Sequence, residues 1–102
     1  MRLDKNIKEQ IKKEIKNSLK QELEIDKIII FGSFLSDTHI HDIDVAIFQN
    51  SNESYLPLAL KYRRLTRSVS KRIPIDIIPV ANHNSDSIFL KEIESGELIY
   101  ER

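Results

Sequence analysis

The sequence predicts an α/β fold of the α+β kind, in which a small mixed β-sheet is flanked by helices in the order α-β-α-β-α-β-α. Short apolar runs of strand length alternate with longer segments in which apolar residues recur every third or fourth position. Only the ten residues 32–41 separate the first two predicted strands, which is tight for a parallel crossover. The helix before the third strand is long enough for one, so we expect a mixed sheet.

The chain begins with a predicted helix from Asp4 to about Glu22. Its apolar residues form a narrow stripe at every fourth position among charged side chains: Ile7, Ile11, Ile15 and Leu19. The segment from Ile25 to Phe31 is apolar on both faces, which predicts a central strand that ends at Gly32. A short helical turn at Phe34-Leu35 follows.

A second strand is predicted from Asp42 to Phe48. Its large apolar residues, Ile43, Val45 and Ile47, alternate along the chain and share one face of the strand. Asp42 and Asp44 therefore both point to the opposite face.

A helix with Ser54 as its N-cap and Pro57 in its first turn is predicted to run to about Arg72, before Pro74. Its large apolar residues have helical spacing: Leu58, Tyr62, Leu65 and Val69. Four elements complete the prediction: a strand at Ile73–Val80, a polar turn at 82–85, a short helix from Ser87 to Glu94 closed at Gly96, and an extended piece at Leu98–Tyr100.

Composition limits the class of protein. The 102 residues are expected to form a single domain, 1–102, with room for one core. The chain has no cysteine, so disulfides and thiolate metal sites are excluded, and no apolar run is long enough for a membrane span. The 16 basic and 16 acidic residues argue against nucleic acid as a direct ligand. We expect a cytoplasmic protein, with homo-oligomerisation left open.

Three carboxylates are candidates for one site. Asp42 and Asp44 share a strand face, and Asp76 can join them if the third strand lies beside the second. In nucleotidyl transfer, two divalent ions about 3.5–4 Å apart can stabilise both the attacking and the leaving oxygen. Magnesium suits such oxygen ligands. We therefore predict two Mg²⁺ ions held by Asp42 and Asp44, with Asp76 holding one of them and accepting the proton of the attacking hydroxyl, either as a general base or through the metal.

Gly32 and Ser33 are the candidate nucleotide-binding residues. A glycine at the end of a strand lets the backbone approach a ligand closely, and the amides of Gly32 and Ser33 can face the phosphates. The Ser33 hydroxyl can add one hydrogen bond.

These motifs, in this order of helices and strands, resemble the minimal nucleotidyltransferase (MNT) domain of the polymerase-beta-like superfamily. The ending from Glu94 to Tyr100 is similar too, so the resemblance covers most of the chain. It implies an antitoxin that transfers AMP from ATP to a tyrosine of an all-helical HEPN partner, a ribonuclease toxin in several systems, with Asp42, Asp44 and Asp76 as catalytic residues.

The chain differs from the common family pattern between Ser33 and Asp42. It has eight residues there, fewer than is common, and Phe34-Leu35-Ser36 stands where Ala-Arg-Gly often follows the serine. His41 stands where a serine often precedes the first aspartate. A second hypothesis therefore remains open, in which the domain neutralises its partner by binding alone.

A third hypothesis is a small nucleic-acid-binding module. The helix before Ile73 carries six basic residues and no acidic one from residue 61 onward: Lys61, Arg63, Arg64, Arg67, Lys71 and Arg72. The simpler interpretation, a solvated helix face, is favoured. His39 and His41 are interpreted as loop histidines rather than metal ligands, Asp37 as support for the turn rather than a fourth carboxylate, and His83 is assigned no role.

Overall fold

The fold is built from nine helices and strands in the part of the chain that the computed structural model describes. This part comprises residues 2–36, 39–81 and 87–102, with the backbone alone at 87–89 and 92. In chain order the elements are α1 (Lys5–Leu19), β1 (Ile25–Phe31), α2 (Ser33–Ser36), β2 (Ile43–Gln49), α3 (Tyr55–Leu65), α4 (Arg67–Ser70), β3 (Ile75–Ala81), α5 (Ser87–Glu94) and β4 (Glu97–Glu101). The predicted fold class is confirmed.

The four strands form one mixed sheet in the order β3-β2-β1-β4. β1 pairs antiparallel with both β2 and β4, whereas β2 and β3 are parallel. The short connection between β1 and β2 allows only an antiparallel pair, and α3 with α4 supplies the crossover that a parallel pair requires. This topology places the start of β2 and the start of β3 side by side.

Each face of the sheet carries its own apolar cluster because side chains alternate along a strand. The larger cluster joins one strand face, including Ile43, Val45 and Ile47, to residues of α1 and α3 such as Ile15 and Tyr62. The smaller cluster lies on the opposite face and includes Phe31, Ala46, Phe48, Val80 and Ile93, the last of these from α5.

The first helix follows the predicted stripe except at its start, where Ile7 is 39% exposed. Ile11, Ile15 and Leu19 are buried, and the Asp4 carboxylate accepts a hydrogen bond from the Ile7 amide at 2.9 Å, which caps the helix. The helix ends at Leu19 rather than near Glu22, because the amide of Glu22 turns back to donate to the carbonyl of Leu19.

The single helix predicted from residue 54 to 72 divides into α3 and α4 at Thr66. Thr66 is fully buried, and its hydroxyl donates to the carbonyl of Tyr62 at 2.9 Å. Its backbone, with φ −99° and ψ 16°, departs from helical geometry. Ser54 occupies the N-cap position, but its side chain makes no capping hydrogen bond.

The remaining differences lie at the ends of strands. β2 begins at Ile43 and β3 at Ile75, one and two residues later than predicted. The piece predicted at residues 98–100 is the edge strand β4, a fourth strand beyond the predicted order. The predicted turn at 82–85 with His83, and Asp37, lie outside the described residues. Among the described helices, none combines the length and apolar character that a bilayer crossing demands.

Candidate active site

The site forms where β2 and β3 begin. These strands are parallel neighbours, and Asp44 and Asp76 are directly paired across the ladder. Asp42 lies immediately before β2. The sequence-predicted carboxylates therefore come from two adjacent strands and the loop that enters one of them.

The three carboxylates lie close enough to share a cation. One oxygen from each of Asp42, Asp44 and Asp76 lies within 4.8 Å of the others, with Asp42 and Asp44 half-buried and Asp76 exposed. Two unit charges 4 Å apart interact by about 1 kcal/mol in water and by about 4 kcal/mol near a protein surface, so three carboxylates repel one another unless a cation intervenes. An all-oxygen donor set of this charge fits magnesium, which usually keeps several waters and substrate phosphates among its ligands.

Gly32 closes the site from the end of β1. Its φ of +82° lies in the left-handed region, which glycine adopts without a side-chain clash. A β-carbon added at Gly32 would lie 2.5 Å from Oδ2 of Asp44, because Phe31, the preceding residue, is the strand partner of Asp44. The backbone at Gly32 thus lies too close to the Asp44 carboxylate for any residue with a β-carbon to fit without a shift.

Ser33 follows Gly32 and begins the short helix α2, whose first turn is closed by a hydrogen bond from the Leu35 amide to the Gly32 carbonyl at 3.3 Å. Phe34 is fully buried and Leu35 packs against the larger core cluster. Phe34 and Leu35 therefore anchor the turn in the core, and neither is a cation.

The two histidines near the site lie outside the carboxylate group. His39 and His41 are both exposed, and neither joins the group of metal-binding side chains found among the described residues. His39 instead forms an antiparallel β-bridge with Arg2, next to the buried Leu3 and Ile40. No periodic pattern in the sequence indicated this attachment of the N-terminal segment to the site loop.

Part of the basic helix is used within the fold. Lys61 forms ion pairs with Glu22 and Glu24, each at 2.7 Å, and Arg72 pairs with Glu14. These contacts join α3 to the connection between α1 and β1, and join the turn after α4 to α1. Two of the six cations proposed for nucleic acid are therefore occupied by carboxylates of the same chain.

The fold and the three carboxylates indicate a domain of the nucleotidyltransferase class. Residues 13–102 match the family model described as polymerase beta, nucleotidyltransferase, and the chain belongs to this family. The resemblance to the polymerase-beta-like superfamily is thereby confirmed. No curated protein sequence is significantly similar to this chain.

Solved structures of similar fold come from toxin-antitoxin systems. One is the complex of a tri-AMPylated Shewanella oneidensis HEPN toxin with an MNT antitoxin, with a TM-score of 0.68, 13% identity, and coverage of 93% of this chain and 73% of that chain. Another is the MntA-HepT toxin-antitoxin, with a TM-score of 0.66, 12% identity, and coverage of 92% and 73%.

A third similar structure is a toxin-antitoxin with AMP-PNP, with a TM-score of 0.69, 14% identity, and coverage of 89% of this chain and 73% of that chain. At these identities the likeness establishes a common fold.

Proposed function

We propose that this chain is a magnesium-dependent nucleotidyltransferase that transfers AMP from ATP to a hydroxyl, a tyrosine of a HEPN partner, and acts as the antitoxin of that partner. The observation that carries the proposal is the convergence of Asp42, Asp44 and Asp76 within 4.8 Å beside the Gly32 turn. Membership of the nucleotidyltransferase family supports the reaction class.

The three aspartates have distinct roles in this proposal. Asp42 and Asp44, half-buried at the start of β2, hold Mg²⁺, and Asp76 shares one ion from the paired position on β3. Bound magnesium supplies neutralisation of the triphosphate and of the leaving group. Asp76 is the most exposed of the three, which leaves it accessible to an acceptor hydroxyl arriving from solvent.

The proposed reaction is a displacement at the α-phosphorus of ATP. The acceptor oxygen forms a bond to this phosphorus, the bond to the bridging oxygen of the β-phosphate breaks, and pyrophosphate leaves. The hydroxyl proton passes to the Asp76 carboxylate and then to solvent. The products are an AMP-protein ester and pyrophosphate.

The nucleotide is proposed to bind beside Gly32 and Ser33. The absence of a side chain at Gly32 leaves the backbone open to phosphate oxygens next to Asp44, and the amides of Gly32 and Ser33 are donors for them. The structure with AMP-PNP, which shares this fold, supports a nucleotide in this class of proteins.

The partner and its modification rest on the similar complexes. An MNT antitoxin is bound to a HEPN toxin in one of them, and that toxin is tri-AMPylated. We extend this relationship to the present chain, with both proteins in the cytoplasm.

Transfer of label from ATP tests the proposal. The chain is incubated with the HEPN protein of the adjacent reading frame, Mg²⁺ and α-labelled ATP, and the partner is analysed by gel and mass spectrometry. We expect an added AMP on a tyrosine, lost in Asp44→Ala and without Mg²⁺. Transfer that persists in Asp44→Ala would refute the assigned site.

A second function, neutralisation by binding alone, is favoured by one specific observation. The turn after Ser33 directs Phe34 and Leu35 into the core, so it offers the triphosphate no cationic side chain. This function predicts that the toxin is inhibited equally with and without ATP, and by the variant Asp42→Asn. Inhibition that requires both ATP and an intact Asp42 would exclude it.

A further inference from the structure

The outer face of α3, defined as Leu56, Leu60, Arg63 and Arg64, is an unusual combination of exposed leucines and arginines. These residues are spaced three or four positions apart, which aligns them on one side of a helix. Leu56 and Leu60 are 62% and 52% exposed, and Tyr55 beside them is 56% exposed. The opposite side of the helix is buried through Leu58, Ala59 and Tyr62.

This face is positively charged without compensation. Residues 55–72 contain no aspartate or glutamate. Within the described part of the chain, Lys61 and Arg72 are paired with acids, whereas Arg63, Arg64 and the neighbouring Arg67 form no salt bridge. The face therefore combines an apolar half with a cationic half, and the fold uses neither for its own packing.

The cationic half lies at the end of the sheet where the active site forms, on the face opposite the carboxylates. α3 starts shortly after β2 ends and returns toward the start of β3, so its leucines lie at the far end of the sheet and its arginines at the near end. Arg63 lines an open cleft of about 290 Å³ together with Thr66, Ser70, Pro74 and Ile75. Ile75 directly precedes Asp76 in the edge strand β3, and consecutive residues of a strand point to opposite faces, so the cleft and the carboxylate site lie at the same end of the sheet on opposite sides of β3.

We propose that the outer face of α3 docks the acceptor protein, through a segment that places apolar side chains on Leu56 and Leu60 and carboxylates on Arg63 and Arg64. The positive charge of Arg63 and Arg64 favours carboxylates at the end of the segment that binds there. Arginine and aromatic residues such as Tyr55 are also enriched in protein interfaces. Leucines offer phosphates no hydrogen bond, so the apolar half favours a protein over RNA. The proposal depends on the proposed function only for the identity of the partner.

The order of leucines and arginines along α3 sets the orientation in which the acceptor protein binds. The segment's carboxylates lie beside Arg63, at the end of the sheet where β3 begins, and its apolar residues lie farther away on Leu56. The contacts that this segment makes with α3, away from the reacting atoms, then help to position the acceptor hydroxyl. The docking contact is thus separate from the metal site and does not require ATP.

Calorimetric titration with the HEPN protein of the adjacent reading frame, without ATP or metal, tests docking. We expect Leu60→Ser and Arg63→Glu each to weaken binding by about tenfold or more, as for other residues central to an interface. The matched controls are Leu23→Ser, exposed in the turn after α1, and Lys13→Glu, exposed on α1. Both should bind like the original chain, and thermal melts of all four variants verify folding.

The metal-site variant Asp44→Asn separates the two proposals. Binding that is retained in Asp44→Asn and lost in Leu60→Ser supports docking, whether or not AMP is transferred. Docking is refuted if the original chain does not bind, or if the α3 variants bind as tightly as the controls. It is also refuted if Leu60→Ser only abolishes self-association in sedimentation, or if Arg63→Glu only abolishes salt-sensitive binding of a 20-nucleotide RNA.

Discussion

Gly32 and Asp44 lie so close that a β-carbon on Gly32 would come within 2.5 Å of the carboxylate oxygen Oδ2 of Asp44. This contact joins the end of β1 to the start of β2, where Phe31 pairs with Asp44. A side chain at Gly32 must displace the carboxylate or shift the turn, and the φ of +82° adds strain of about 1 kcal/mol or more for any other residue.

The variant Gly32→Ala is therefore expected to reduce AMP transfer more than it reduces stability. Displacement of one metal-binding carboxylate predicts a loss of activity of about 10- to 100-fold, as seen when the support of a metal ligand is removed. Transfer rates and urea denaturation are measured on the same preparation.

Gly96→Ala provides the comparison for that variant. A β-carbon at Gly96 would lie 2.4 Å from the carbonyl oxygen of Ile30 and 2.8 Å from Cβ of Phe31, so it disturbs the sheet without touching Asp44. We expect Gly96→Ala to lose stability first, with activity falling only as the folded fraction falls. Equal effects of the two variants on activity per folded molecule would contradict the role given to Gly32.

Magnesium is expected to raise the melting temperature through the three carboxylates. A ligand at 100 times its Kd stabilises the folded state by about 2.7 kcal/mol, which is several degrees for a domain of this size. In Asp76→Asn the shift with Mg²⁺ should shrink. Without metal, however, the variant should melt at or above the original chain, because one repulsive charge has been removed.

Glu53→Gln is the matched control for this measurement. Glu53 is an exposed carboxylate before α3, and its replacement removes a negative charge away from the site. Its magnesium shift should equal that of the original chain. A shift reduced equally in both variants would indicate general screening of charge rather than a site.

The sequence was sufficient for features that depend on local periodicity. β1 and α5 have the predicted bounds, Ile25–Phe31 and Ser87–Glu94, because clear breaks flank each apolar pattern. Strand alternation also placed Asp42 and Asp44 on one face, and the length of the crossover before β3 favoured a parallel neighbour for β2. Their proximity to Asp76 follows from those two rules.

Features that depend on individual contacts rather than on a periodic pattern were not predictable in the same way. The division of the long helix follows from burial of the Thr66 hydroxyl against the Tyr62 carbonyl, a local bond that propensity does not reveal. β4 is a short edge strand, fixed by its pairing with β1 rather than by its own alternation. The bridge between Arg2 and His39 joins residues with no shared pattern.

The N-cap of α1 gives a stability prediction independent of the site. Asp4 accepts the Ile7 amide at 2.9 Å, and this bond satisfies one of the free donors at the start of the helix. Asp4→Ala should lower the free energy of unfolding by about 1 kcal/mol. Asp4→Ser should retain most of it in urea denaturation, because serine is also a good cap. An equal loss in both variants would contradict capping.

The half-buried contact among Lys61, Tyr62 and Glu24 gives a pH prediction. The Tyr62 hydroxyl donates to the Glu24 carboxylate at 3.1 Å, and Lys61 pairs with the same carboxylate oxygen at 2.7 Å. Burial raises the pKa of Tyr62 far above its ordinary value, and the charge of Glu24 raises it further. Hydrogen bonds to Glu22 and Glu24 also raise the pKa of Lys61.

Both groups therefore hold a proton more tightly in the folded protein than in the unfolded chain. Their contribution to stability is complete below the unfolded pKa values of about 10 for tyrosine and about 10.4 for lysine, and is lost as the pH rises above them. Glu24 has the opposite sign. Burial acts to raise its pKa, but the hydrogen bonds from Lys61, a backbone amide and Tyr62 lower it overall, so its contribution is lost at acid pH, below about 4.3.

The variant Tyr62→Phe distinguishes the contribution of Tyr62 from that of Lys61 to the loss of stability at alkaline pH. The variant should lose about 1 kcal/mol at pH 7 through the missing hydrogen bond to Glu24. It should then lose less stability than the original chain between about pH 10 and pH 11, because the phenol no longer titrates and, of these two groups, only Lys61 keeps a raised pKa. Urea denaturation at these pH values measures both effects.

The control is Tyr55→Phe, which changes an exposed tyrosine and should follow the original chain throughout. An equal change of the alkaline slope in Tyr55→Phe would show that the buried phenol is not its source.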